Sequence, residues 1–235
     1  MFHPFAEKRP GKLSGLPGQI VRKRFFKHQS TWKPSVIPFP MPILPLKSLA
    51  KVRMGATLRG RDATRPDPNG SCRMIQIGDL NDDGSFRNRD FVRIEPNESI
   101  DDSMFLRPGD VLFPNRGTRN TAATFNDEDP RILVGAQFFV LHPDRKRIMP
   151  EFLAWSLRTS EAVRHFATRR KGTLVQTLQR IDLEELPVAV PSLAVQGKLI
   201  ALYCLSREAS VLESRLSALR AIHLEQSLLK AAKQI

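Results

Sequence analysis

The sequence predicts an α+β chain, a mixed and mainly β domain followed by one long C-terminal helix of coiled-coil type. Three observations carry this expectation. Between Leu44 and His142 the chain is a series of short runs rich in β-branched and aromatic residues, separated by Gly, Asp, Asn and Pro. From Met149 the apolar spacing changes to a helical one. Beyond Pro191-Ser192 a proline-free, glycine-poor stretch runs to Ile235 with apolar residues three and four positions apart.

Residues 1–42 come first and are read as a disordered, basic, Pro-rich arm. Eight Lys or Arg face the single acid Glu7 in residues 1–40, and Arg22-Lys23-Arg24-Phe25-Phe26-Lys27 is their one dense cluster. Two readings stay open: an arm that tracks phosphates, or an overlong gene start ahead of Met41. Residues 43–190 form the predicted globular domain. Its expected strands are Cys72 to Ile77, Phe91 to Ile94, Asp110 to Phe113 and Leu133 to His142, with turns at Asn81-Asp82-Asp83-Gly84 and Arg107-Pro108-Gly109-Asp110. Pro150 beside Glu151 starts a helical stretch that breaks near Ser160 and ends at Lys171-Gly172-Thr173. Asp182 is placed to cap a short turn leading to Leu186.

Residues 191–235 are the predicted spacer or dimerisation helix. Its seam passes through Leu202, Leu205, Ala209, Leu212, Leu216 and Leu219, flanked by Glu208, Glu213, Arg215 and Arg220. About 40 residues at ~1.5 Å each make a rod of ~60 Å. His223, Gln226 and Lys230 interrupt the seam, while Ile222, Leu228 and Leu229 point to a shift. The competing reading is a helix packed along its own domain.

The formal charge is +13, of which +7 falls in residues 1–40, leaving +6 for residues 41–235. A polyanion is the simplest partner for such a surface. After Met41 arginine far outnumbers lysine, and a planar guanidinium grips phosphate or guanine with two parallel hydrogen bonds. Cys72 and Cys204 lie far apart with no thiol or histidine at metal-ligand spacing, so both are read as buried, reduced residues of a cytoplasmic protein. No apolar run has the length of a membrane span, and no cofactor or metal is expected.

Six segments, in order, carry a family likeness: CRMIQIGDL (72–80), LRPGDVLFPNRG (106–117), PEFLAWSL (150–157), Lys171-Gly172-Thr173, IDLEELPVAV (181–190) and PSLAVQGKLI (191–200). Together they resemble the specificity subunit of type I restriction-modification systems, from about Leu44 to the end. The resemblance implies a target recognition domain and a spacer helix that dock DNA methyltransferase subunits, and a restriction subunit in some complexes, onto a chosen duplex sequence for DNA methylation and host defence. The family's usual subunit has two of each part and this chain has one. It therefore looks like a half-length form that works as a homodimer or with another half-length specificity subunit, or a remnant of a truncated gene.

Base and phosphate contacts are expected from loops. Asn115, Arg116, Thr118, Arg119 and Asn120 combine side chains suited to guanine and adenine edges. Arg169, Arg170, Lys171, Thr173 and Gln176 form a basic helix end and glycine turn; the cations there also suit the helix dipole. Arg59, Arg61 and Arg65 form a third, phosphate-anchoring group. The helix–helix interface is assigned to Leu202, Leu205, Leu212, Leu216 and Leu219. No catalytic residue is expected: the five histidines occupy unrelated settings, and the acids fall in turn-like segments. Two alternatives stay open, a metal-dependent nuclease built on dispersed acids and a DNA-binding adaptor without sequence selectivity.

Overall fold

In the computed structural model the described residues are 41–59, 65–129 and 131–233. The proposed arm through residue 40 and the candidate Arg61 lie outside them.

The domain is built in layers around β5 (Asp110–Pro114) and β8 (Phe138–Pro143), which pair antiparallel with Leu112 opposite Val140. β2 (Ala50–Met54) adds to the free side of β8 and β6 (Ala123–Phe125) to that of β5, giving a four-stranded antiparallel sheet ordered β2-β8-β5-β6. A second sheet has β3 (Cys72–Ile75) at its centre, antiparallel to β4 (Val92–Ile94) and parallel to β7 (Ile132–Val134).

Alternation along β5 and β8 explains the layering, because successive side chains on a strand point to opposite faces. Val111, Phe113, Phe139 and Leu141 join the buried cluster with Phe152, Leu153, Leu157, Phe166 and Leu183 of the helical segments. Leu112, Phe138 and Val140 face the other way, into a cluster with Ile75, Leu80, Phe91, Ile132 and Val134. Both faces of this sheet are thus covered, so its strands are continuous apolar runs, a pattern that does not by itself reveal which face is inside.

The predicted strand from Leu133 to His142 is corrected to two strands in different sheets, β7 and β8. Between them the chain turns at Gly135, whose carbonyl accepts the Phe138 N–H at 3.0 Å. Gly55 packs directly on the Val134 and Gly135 carbonyls, where no Cβ fits. The predicted strand from Cys72 ends at Ile75. There Gln76 and Asp79 cap a 3₁₀ turn, the Gln76 N–H donating to Asp79 Oδ2 at 2.8 Å. A two-stranded pair, β1 (Ile43–Pro45) with β9 (Pro187–Ala189), ties the start of the described chain to the segment before the long helix.

Helices α1 (Pro150–Ser156) and α2 (Ser160–Ala167) are separated where the sequence marks a break, with the Thr159 hydroxyl capping α2. The short α3 (Arg180–Glu184) carries Asp182 at its third position, bonded back to the Gln179 N–H. The long helix α4 (Leu193–Ala232) has 40 residues, about 60 Å.

Only the first four turns of α4 dock on the domain. Gln196 is fully buried, Leu199 and Ile200 pack on the core, and Tyr203 meets Trp155 at 6.5 Å between ring centres. From Glu208 to Ala232 every residue is exposed. A helix packed on its own domain is therefore correct for the base of α4 and not for the rest. At 3.6 residues per turn the predicted seam lies roughly half a turn from the docked face. Its leucines are 47–65% exposed. Cys72 is buried, and burial pushes its thiol pKa up. Cys204, expected to be buried as well, is exposed, because it lies on a flank of α4 that nothing among the described residues covers.

Candidate nucleic-acid interface

Two of the three predicted loops become one surface. The chain leaving β5 runs beside the segment after α2: the Gly117 N–H donates to the Gln176 carbonyl at 2.8 Å, and the Leu178 N–H to the Asn115 carbonyl at 2.8 Å. Lys171 and Thr177 exchange both backbone hydrogen bonds, at 3.0 and 2.7 Å. They close a five-residue tip, residues 172–176. Thr177 is thereby held between Arg116 on one side and Lys171 on the other. Arg170 adds a side-chain link, its Nη2 donating to Asn120 Oδ1.

Within this surface the predicted residues play different parts. Arg116, Thr118, Lys171, Thr173 and Gln176 are exposed. Arg119 is committed elsewhere: its Nε donates to Asp82 Oδ1 at 2.7 Å and its Nη2 to the Leu80 carbonyl at 2.9 Å. Arg169 donates from Nη1 to the His165 carbonyl at 3.1 Å, which is the helix-end role that its position also allowed. Asn115 is 3% exposed, and its side-chain amide donates to the Ala136 carbonyl at 2.8 Å. This corrects its assignment as a base-reading residue: it fastens the end of β5 to the β7–β8 turn. Arg59 and Arg65 are exposed, and the Arg59 carbonyl accepts from Asn97 Nδ2 at 3.1 Å. No hydrogen bond among the described residues connects them to the first two loops.

The electrostatics of the joined loops centre on Arg170. Its Nη1 is buried and has no hydrogen-bond partner among the described residues. No carboxylate pairs with it there, and burial lowers its pKa. Half-buried, uncompensated positive charge beside the exposed Arg116 and Lys171 favours an incoming anion.

Several of the clustered acids that the nuclease alternative would draw on have other partners. Asp129 pairs with Arg73, Asp82 with Arg119 and Asp83 with Arg207, while Asp101 caps a 3₁₀ turn through the Ser103 N–H. Asp110 of the Gly-Asp-Val-Leu segment is buried, accepts the Arg107 N–H at 2.9 Å and lies 2.6 Å from His142 Nδ1. It stiffens the turn into β5.

The turn Asn81 to Gly84, which the sequence marks only as a turn, joins loop and helix. Asp82 holds Arg119 of the candidate loop, and Asp83 holds Arg207 at the base of α4. Burial works to raise the Asp83 pKa, but hydrogen bonds from the Ser85 hydroxyl and amide and from Arg207 outweigh it and hold the carboxyl below its ordinary value. A depressed carboxyl contributes stability above its unfolded pKa and loses it as pH falls through the folded one. The pair is about a third exposed, so its worth is about 1 kcal/mol or less. Asp83→Asn should therefore lower the urea midpoint slightly near neutrality, and the gap to the parent should close below about pH 4.

No family model matches the sequence, and no curated protein is significantly similar to it. Solved structures do match. The HsdS subunit from Thermoanaerobacter tengcongensis is similar over 75% of this chain and 40% of that one, at 17% identity and a TM-score of 0.53. A chain solved in a study of complex assembly and conformational transition of the type I R-M system is similar over 86% of this chain and 46% of that one, at 18% identity and a TM-score of 0.60. The S subunit of a type I restriction-modification system from M. genitalium matches more loosely, at 13% identity and a TM-score of 0.47, over 72% of this chain and 40% of that one. The first two show that the β-rich domain with its long C-terminal helix has the HsdS fold. The chain spans less than half the length of each of these solved chains.

Proposed function

We propose that this chain is a non-catalytic DNA specificity subunit of a type I restriction-modification system. It reads double-stranded DNA with the joined loops and, through α4, directs a partner methyltransferase subunit, with or without a restriction subunit, to the site. Its α4 pairs with a second copy or with another half-length specificity subunit, and the complex works in the cytoplasm. No helix among the described residues is long and apolar enough to cross a membrane.

The observation that carries this reading is the meeting of loops 115–120 and 169–177. Two cationic segments about 50 residues apart in sequence are clamped into one surface around a guanidinium that has no carboxylate partner among the described residues. A rigid, arginine-bearing surface offers what duplex recognition needs: phosphate contacts for register and base-edge contacts for choice. The HsdS fold supports the assignment of that partner, and the exposed 25-residue end of α4 supports a second protein surface.

Selection of bound duplexes from a random pool, followed by titration over a range of salt, tests the reading. The parent protein is expected to enrich one sequence. Lys171→Ala should weaken all duplexes alike and reduce the slope of log K against log salt by about 0.9. Arg116→Ala should cost about 1–3 kcal/mol on the enriched sequence and relax one position in it. Uniform binding with no enriched sequence would favour the adaptor, and divalent-metal-dependent cleavage by the chain alone would favour the nuclease.

A further inference from the structure

We propose that Leu174, with Val175 beside it, is an apolar base-contacting tip that helps to choose the duplex sequence; this rests on the reading of the chain as a DNA reader. Leu174 is 98% exposed, the most exposed large apolar side chain among the described residues, and Val175 is 57% exposed. The other strongly exposed apolar residues lie mostly along α4, where a helix partner accounts for them.

The tip is presented on a clamped base. Lys171 and Thr177 exchange two backbone hydrogen bonds, Thr177 is tied on through Arg116, and Gly117 donates to Gln176. Gly172 has φ +113°, and a Cβ there would collide with the Val175 carbonyl, so the turn that lifts Leu174 outward requires glycine. Residues 171–177 are all exposed. The leucine is thus held out on a short stalk.

The surroundings indicate what it meets. Arg116, Arg170 and Lys171 supply positive charge at the foot of the stalk, and Thr173 and Gln176 flank the tip with hydrogen-bonding groups. An apolar protein groove gains little from that ring of cations. A DNA groove matches it: phosphates on the rim for the cations, base edges for Thr173 and Gln176, and apolar surface within. That surface is either a thymine methyl or the face of a partly unstacked base step.

The test uses the full-length chain and the duplex it enriches from a random pool. Leu174→Ser should fold as the parent does, since the side chain is exposed. It should bind the enriched duplex about tenfold more weakly, bind random duplex within about twofold of the parent, and keep the same salt slope. Leu174→Met should restore most of the loss. Two further arms identify the contact. Thymine-to-uracil replacement at single positions should reproduce the loss where a methyl is touched. A rise in 2-aminopurine fluorescence, absent with Leu174→Ser, marks unstacking.

If the parent enriches no duplex, the functional reading fails and the proposal with it. If the parent enriches one while Leu174→Ser binds it equally well with unchanged selectivity, the proposal alone is overturned. Loss of methyltransferase capture with DNA selection intact would also overturn it, placing the tip on a protein.

Discussion

Gln196→Leu is expected to destabilise the protein by on the order of 3 kcal/mol or more and to release the base of α4 from its fixed direction. Gln196 is 0% exposed and makes three hydrogen bonds: Oε1 accepts the Met149 N–H at 2.8 Å, and Nε2 donates to the carbonyls of Arg147 and Pro191 at 3.0 and 2.8 Å. These partners come from the segment entering α1 and from Pro191, which precedes the Ser192 N-cap of α4. Leucine fills much the same volume but leaves three backbone groups without partners, each at a cost of about 1–3 kcal/mol when buried. The size of the effect follows from the geometry: one side chain satisfies three groups on two segments. Chemical denaturation measures the loss, and spin labels at two exposed sites, one on α4 and one on the domain, measure the direction. A Leu variant with parental stability and a sharp, unchanged distance distribution would show that apolar packing alone sets the helix.

Gln196 also shows where the sequence stops being legible. A single amide one turn after Pro191-Ser192, among apolar neighbours, is a visible oddity, but its Met149 and Arg147 partners lie more than 45 residues away. The long helix, the break near Ser160, the Asp182 cap and the turn before Asp110 are all local, decided by periodicity and by residues within one turn of each other. What escaped was non-local. β1 and β9 are three residues each and exist because Leu44 meets Val188 across the whole domain. β2 and β6 lie on the edges of a sheet whose central strands are apolar on both faces, so alternation gave no guide. The two loops of the candidate interface were visible as separate basic segments, yet nothing in the letters joined them. Asn115 looked like a base reader because its residue type suits adenine; its burial depends on Ala136, in a turn read as continuous strand.

Truncation after Arg207 is expected to leave the domain as stable as the parent, within about 0.5 kcal/mol, and to abolish pairing. Residues 208–232 are exposed throughout, so no core contact is lost. The loss of association can be sized from the seam. Leu202, Leu205, Leu212, Leu216 and Leu219 are 47–65% exposed, so burying the remainder is worth about 1 kcal/mol for each, or on the order of 10 kcal/mol for two copies. Association costs at least about 4 kcal/mol, leaving about 6 kcal/mol and a Kd of tens of micromolar. If the proposed seam pairs two copies, the pairing is expected to be weak and visible only at high concentration. Leu212→Lys with Leu216→Lys should abolish it as fully as truncation does, without shortening the rod. Val211, Ile222 and Leu229 form a second exposed strip about a third of a turn from the seam, so a paired helix keeps apolar surface for a further protein. Light scattering at about 100 µM tests self-pairing, and co-purification with the methyltransferase tests the further partner. A full chain that stays monomeric there, beside a truncated chain that still captures the methyltransferase, would remove α4 from both roles.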